Sequence, residues 1–334
     1  MELARRLLAI ESTTGEEAAV AEFLYGHLRD CGWDVEKIPV EANRWNLFAR
    51  RSDPRLVFST HLDTVPPFVA VSEDDTFLFG RGACDAKGIA AAQIAAAEEL
   101  RATGVETVAL LFVVGEERNS AGALAANRWI RRQPFAGTVR HLINGEPTDN
   151  RLAVGTKGSL RCALEARGKS AHSAYPELGE NAIDRLLEAL EQIRQVSLRS
   201  DAEMGNETLN IGTIAGGTRP NVVPDSASAE IMFRLVADSE PVKQEILRRV
   251  GSLAQVRFEF EVPPVRLRRL PGFEGAPMAF TTDIPFLSGF GEPFLLGPGS
   301  IHDAHTLGEK ISKEELVRGA QLYVKLARFL LSEP

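Results

Sequence analysis

The 334-residue sequence predicts an α/β protein, a mostly parallel sheet flanked by helices with a second βαββαβ unit inserted into it. Three observations predict this. Runs at 56–60 and 107–114 are apolar on both faces and alternate with amphipathic helical patterns, as in a parallel sheet covered on both sides. From about residue 155 the rhythm changes to strand, helix, strand, strand, helix, strand. Beyond "PPVRLRRLPGFEGAP" the first style returns, with the apolar run "FLLGPG" and a final amphipathic helix.

Taken in order, the N-terminal residues carry apolar side chains at helical spacing, and Thr14-Gly15-Glu16-Glu17 has the pattern of a capping box. The apolar stripe that follows stops at Gly32, so a helix is expected over 15–31. Short β-rich runs then fall at 33–38, 46–49 and 56–60. An alanine-rich helix at 86–101 leads to a strand at 107–114, and a helix at 120–131 leads to a strand at 139–144. The middle segment reads as strand 158–166, helix 180–196, strands 207–214 and 226–236, helix 240–253 and strand 256–262, the order of a ferredoxin-like split unit. A helix at 312–331 closes the chain. The expected organisation is one domain from 1–155 and 265–334, and another from 156–264.

Composition narrows the classes of function. With 44% hydrophobic and 25% charged residues the chain has the make-up of a globular protein. A net charge of -8 and a pI near 5.5 argue against a nucleic-acid surface and for small-molecule partners. No window holds ~18 consecutive apolar residues, so no membrane span is expected. The N-terminus lacks the apolar core and cleavage site of a secretion signal, which points to the cytoplasm. Cys31, Cys84 and Cys162 are few, odd in number and far apart, which suits reduced thiols.

The polar residues at the strand ends carry the chemistry. The strand at 56–60 runs into His61 and Asp63, and that at 107–114 into Glu116 and Glu117. The strand at 139–144 reaches Glu146, and "FLLGPG" leads to His302 and His305. Ligands of open parallel sheets bind outside the carboxyl ends of the strands, so these residues are expected on one edge. Asp85, in the glycine-rich turn "GRGACDAKG" before a helix, joins them. Imidazoles and carboxylates without thiolates suit Zn²⁺ or Co²⁺, with Mn²⁺ a further option. The candidates outnumber the ligands of a single ion. Two ions ~3.5–4 Å apart sharing one carboxylate fit better, with Asp85 the natural bridge.

The segments "STHLDTVP", "GRGACDAKG", "VVGEERNSAG", "NGEPT", "GKSAHSAYPELGENAI", "GGTRPNVVP" and "GPGSIHDAHTLGE" occur in that order. Together they cover nearly the whole chain, which closely resembles the co-catalytic di-zinc amidohydrolases and peptidases. That family includes acetylornithine deacetylase, succinyl-diaminopimelate desuccinylase, acetyl-lysine deacetylase, aminoacylase and carboxypeptidase G. The resemblance implies a zinc-exopeptidase-like fold with an inserted lid and dimerisation domain, and hence a homodimer. It implies two Zn²⁺ ions, one held by His61, Asp85 and Glu146 and the other by Asp85, Glu117 and His305. Glu116 would be general base toward a metal-bridging water, Asp63 would orient the His61 imidazole, and His172 would steady the oxyanion, commonly from the partner subunit. The resemblance favours His305 over His302, since the family places this ligand after an alanine and four residues before a glutamate, as in Ala304-His305 and Glu309. Gly308 stands where many relatives carry asparagine.

On the substrate side, Asn221 and Arg234 match the family's substrate-contacting residues, the guanidinium suiting a carboxylate. Met232 replaces an aspartate common two residues before that arginine. "AFTTDIPFL" resembles the family's threonine/aspartate turn near the pocket but has no arginine after Asp283, which disfavours a second anionic group on the substrate and with it the desuccinylase, although Lys157 could restore some of that preference. The expected activity is hydrolysis of an N-acyl amino acid, deacetylation of a basic one first, with a di- or tripeptide exopeptidase as the alternative. A non-catalytic binding protein is the reading from another class, and the full set of ligands plus Glu116 speaks against it.

Overall fold

The computed structural model describes residues 1–333. The chain forms two compact units, one from Met1–Val154, Leu267–Ala276 and Thr282–Pro334, the other from Gly155–Arg266 and Pro277–Thr281.

In the first unit the strands β1 (Asp34–Glu41), β2 (Arg44–Arg50), β3 (Leu56–His61), β4 (Val108–Val113) and β5 (His141–Asn144) join Glu292–Leu295 in a six-stranded sheet. Its order is β1-β2-β4-β3-β5 and then Glu292–Leu295. The last four run parallel to one another, while the β1–β2 hairpin adds an antiparallel edge. The sheet is therefore mixed, with a parallel centre.

Its central strands are buried on both faces because their side chains alternate between two apolar layers. Leu56, Phe58, Leu110 and Phe112 join Ile89, Leu100 and Tyr323 from helices Lys87–Ala102 and Lys313–Ser332. Val57, Leu111 and Val113 turn the other way, toward Ala126 and Ile130 of helix Ala121–Ile130. Each such large side chain contributes ~1.5–3 kcal/mol on burial.

The first long helix departs from expectation. It spans Ala18–Asp30, and Thr14 does not cap it. The Thr14 hydroxyl instead donates to Asp63 Oδ2 at 2.8 Å. Glu17 is fully buried and accepts from Nε and Nη2 of Arg44 at 2.8 and 2.6 Å. Distant partners have taken the groups that a local capping box would use.

The second unit contains β6 (Gly158–Arg167), helix Ala182–Arg194, β7 (Thr208–Gly216), β8 (Ser226–Leu235), helix Glu240–Val250 and β9 (Gln255–Val262). The antiparallel order β7-β8-β6-β9 is that of a ferredoxin-like sheet. Leu160, Leu164, Ile231 and Phe233 form its core with Leu186 and Ile246 of the two helices. Helix Ala182–Arg194 is capped by Asn181, whose side chain accepts from the amides of Ile183 and Asp184.

No helix of the described residues is long and apolar enough to cross a membrane, and all three cysteines are free.

Gly122 illustrates how tightly the strand ends are packed. A Cβ there would lie 2.3 Å from the Val114 carbonyl and 2.6 Å from Asn46 Oδ1, whereas one at Gly26 would meet nothing within 4 Å. Gly122→Ala is expected to destabilise the protein by about 1–3 kcal/mol despite the better helix former, and Gly26→Ala to stabilise it by about 0.5–1 kcal/mol. Denaturant midpoints that move alike in the two variants would contradict this packing.

Candidate metal centre

Each residue of the cluster sits where an element ends. His61 is the last residue of β3, Asp85 precedes helix Lys87–Ala102, and Glu146 follows β5. After β4, Gly115 adopts φ 81°, a left-handed conformation that suits glycine, and the chain enters a single helical turn, Glu116–Asn119. The two glutamates thus lie in a helical turn rather than a loop. Successive side chains on a helix diverge by about 100°, so the pair points in different directions.

Asp63 holds this arrangement. Its buried carboxylate accepts the amides of Gly115 and Glu116 on Oδ1 at 2.8 and 3.1 Å, and the amide of Glu117 and the hydroxyl of Thr14 on Oδ2 at 3.2 and 2.8 Å. It orients His61 chiefly through its main chain: His61 Nδ1 donates to the Asp63 carbonyl at 2.8 Å, with the carboxylate 3.6 Å away. That bond leaves Nε2 as the nitrogen facing the cluster.

His61 Nε2 lies 3.0 Å from Asp85 Oδ1 and 3.9 Å from Glu146 Oε2. His305 Nε2 lies 3.3 Å from Asp85 Oδ2 and 2.9 Å from Glu117 Oε1. Asp85 therefore divides its two oxygens between the two imidazoles. Donor atoms of His61, Asp85 and Glu117 all lie within 4.8 Å of one another. Glu146 Oε1 is buried without a hydrogen-bond partner among the described residues. Glu116 stands apart, since its carboxylate makes no hydrogen bond among the described residues.

The electrostatics reflect crowded negative charge. Burial, reinforced by the charge of Glu146, pushes the Glu116 carboxyl well above its ordinary range. Burial likewise raises Glu146 far and Glu117 less, because His305 bonds the latter. For Asp85 burial is outweighed by His305 and His61, which hold it below the usual carboxylate range. Hydrogen bonds to Asp85 and Glu117 lift His305 to about 10, and those to Asp63 and Asp85 raise His61 against its own burial. An orphaned buried oxygen, two convergent imidazole nitrogens and a shared carboxylate fit divalent cations, which supply the missing positive charge.

Other candidates lie elsewhere. His302 is exposed, with no ring contact among the described residues. In the second unit, His172 and Asn221 lie on adjacent segments: His172 bridges Val222, and the Ser173 amide donates to the Asn221 carbonyl at 3.1 Å. Arg234, on β8, donates from Nη1 to Thr281 Oγ1 at 3.1 Å. Lys157 Nζ donates to the Asn206 carbonyl at 2.6 Å, so that ammonium is engaged within its own unit.

Sequence reasoning missed Thr14, whose motif reads as a helix cap. Asp283, in the segment that resembles a turn near the family's pocket, is buried, has neither oxygen within hydrogen-bond geometry of a partner among the described residues, and is raised to about 6 by burial against the opposing effect of Ser120.

Residues 57–328 match the family model described as Peptidase family M20/M25/M40. A "Probable carboxypeptidase" of Paracoccidioides brasiliensis is 36% identical, the alignment covering 98% of this chain and 84% of that protein. A "Peptidase M20 domain-containing protein" of Schizosaccharomyces pombe is 35% identical with the same coverage. Among solved structures, a tripeptidase from Staphylococcus aureus superimposes with TM-score 0.79 at 20% identity, covering 98% of this chain and 97% of that one. A di-peptidase from Saccharomyces cerevisiae gives TM-score 0.79 at 14% identity, covering 100% and 96%. The latter two share the fold. The ordered motifs at the strand ends, the family model spanning most of the chain and relatives matched along nearly its full length have one explanation: this protein is a metallopeptidase of family M20/M25/M40.

Proposed function

We propose that this protein is a two-ion exopeptidase that hydrolyses the amide bond beside a residue with a free carboxylate, in a short peptide or an N-acyl amino acid. One observation carries the reading: Glu117 is engaged by His305, while its neighbour Glu116 keeps an unbonded carboxylate beside the same cluster. Zn²⁺ suits the donors first, with Co²⁺ or Mn²⁺ as substitutes. His61, Asp85 and Glu146 would hold one ion, and Asp85, Glu117 and His305 the other. Bound there, the ions supply Lewis-acid polarisation of the scissile carbonyl and lower the pKa of the attacking water.

Glu116 then accepts that water's proton and returns it to the leaving nitrogen. Burial and the charge of Glu146 make its carboxyl hold a proton more readily than an ordinary glutamate does, as a proton-shuttling group requires. Asp63 aims it by fixing the turn that carries it. We assign His172 to the developing oxyanion: the Ala174 amide donates to its Nδ1 at 3.1 Å, which leaves Nε2 as the donor. Arg234 and Asn221 are assigned to the substrate carboxylate. A homodimer in which the second unit acts as lid and pairing domain, and a cytoplasmic location, complete the proposal.

Peptides come first because the curated relatives at 36% and 35% identity are named as carboxypeptidases and an M20 peptidase. Deacylation of N-acetyl amino acids stays second. Lys157 Nζ donates to the Asn206 carbonyl, so one of the donors it could offer a second substrate anion, such as that of an N-succinyl compound, is already in use.

A panel of di- and tripeptides, N-acetyl and N-succinyl amino acids on zinc-loaded protein tests the substrate class. Release of a C-terminal residue from peptides, abolished by C-terminal amidation, is expected, and exclusive turnover of N-acetyl compounds would overturn the order. Glu116→Gln should retain its metal and lose hydrolysis by at least about 10²-fold. Glu117→Gln should instead weaken metal binding more than about tenfold, read by calorimetry; equal metal loss in both would undo the division of roles. Because His305 holds its proton up to about 10 and Glu146 is raised, an entering ion must displace protons. Affinity should therefore rise with pH across the neutral range, with proton release measurable in buffers of different ionisation enthalpy. A pH-independent affinity would contradict the charge distribution.

A further inference from the structure

Resting on the two-ion reading above, we propose that the buried ion pair Arg81–Glu309 is the positioning device of the centre, tying the loop of Asp85 to the loop of His305 and so holding the second ion's site together. Arg81 and Glu309 are each 1% exposed, and Arg81 Nη1 donates to Glu309 Oε2 at 2.6 Å. The other carboxylate oxygen accepts the amides of Gly82, Cys84 and Asp85 at 2.9, 3.3 and 3.2 Å. The amide of the shared ligand Asp85 is thus bound by Glu309 directly. Arg81 reaches the other side: Nη1 also donates to the Thr306 carbonyl at 3.1 Å, one residue beyond His305, and Nε to the Pro67 carbonyl at 3.2 Å.

A buried ion pair adds little net stability over apolar packing, so stability alone is a poor reason for one here. What the pair supplies is geometry. A single carboxylate oxygen gathers three amides of one turn, and a planar fork spans two further segments. His305 itself adopts φ 62°, a left-handed conformation that a non-glycine residue keeps only where its surroundings enforce it. His61 is fixed independently, by its place in β3 and by the Asp63 carbonyl. The site built on His305 therefore depends on the Arg81–Glu309 tie more than the site built on His61.

The test is titration of metal-free wild type, Glu309→Gln and Arg81→Lys with Zn²⁺ by calorimetry, with Co²⁺ absorption spectra and denaturant unfolding alongside. Wild type should take two ions. Each variant should keep the first within about threefold and bind the second at least about tenfold more weakly, with an altered Co²⁺ spectrum at the second equivalent. Unchanged second-ion affinity in a folded but less stable variant would reduce the pair to a structural one and overturn the proposal. Should Glu309→Gln not fold, Arg81→Lys decides by the same criterion, since it keeps the charge and loses the fork. Fewer than two ions in wild type would instead refute the two-ion reading itself.

Discussion

The Asp63 carboxylate is the contact on which the arrangement of the first unit's cluster depends. Fully buried, it survives as an anion because four donors and the neighbouring imidazole surround it. Through those donors it fixes the turn carrying Glu116 and Glu117, and through its own carbonyl it fixes His61. One residue thus sets the direction of two glutamates and an imidazole, and the N-terminal segment helps by contributing Thr14. Replacing this charge with a neutral amide would disturb several parts of the site together.

Around that anchor the structure accumulates carboxylates. Asp85, Glu116, Glu117, Glu146 and Asp283 are drawn out of water with only two histidines to offset them. Such a concentration is costly in a protein interior unless cations complete it. Burial raises both neighbouring glutamates, but the one bonded to His305 stays closer to its ordinary acidity, while the unbonded one is driven further up. A shared fold with peptidases does not specify this; the division arises from which carboxylate found a partner.

Much of this was legible along the chain. Strands apolar on both faces announced a covered sheet, and His61, Glu116, Glu117, Glu146 and His305 could be placed at its edge because parallel strands share a carboxyl end. The order of the middle segment was likewise readable from period-two and period-3.6 patterns. Thr14 and Glu17 were misread, since a capping motif is a local signal and their partners Asp63 and Arg44 lie far along the chain. Asp63 was expected to orient His61; its carbonyl accepts from that imidazole, while its carboxylate gathers four other donors.

By itself, then, the sequence determined the kind of fold, the residue types gathered at the sheet edge and the family to which they belong, because periodicity and motif order are properties of the chain. Only the tertiary structure decided which oxygen of Asp85 meets which histidine, that Glu116 is left unbonded, and that Arg81 and Glu309 join loops more than 200 residues apart. Those are outcomes of competition for partners in a buried space, and no local pattern encodes the winner.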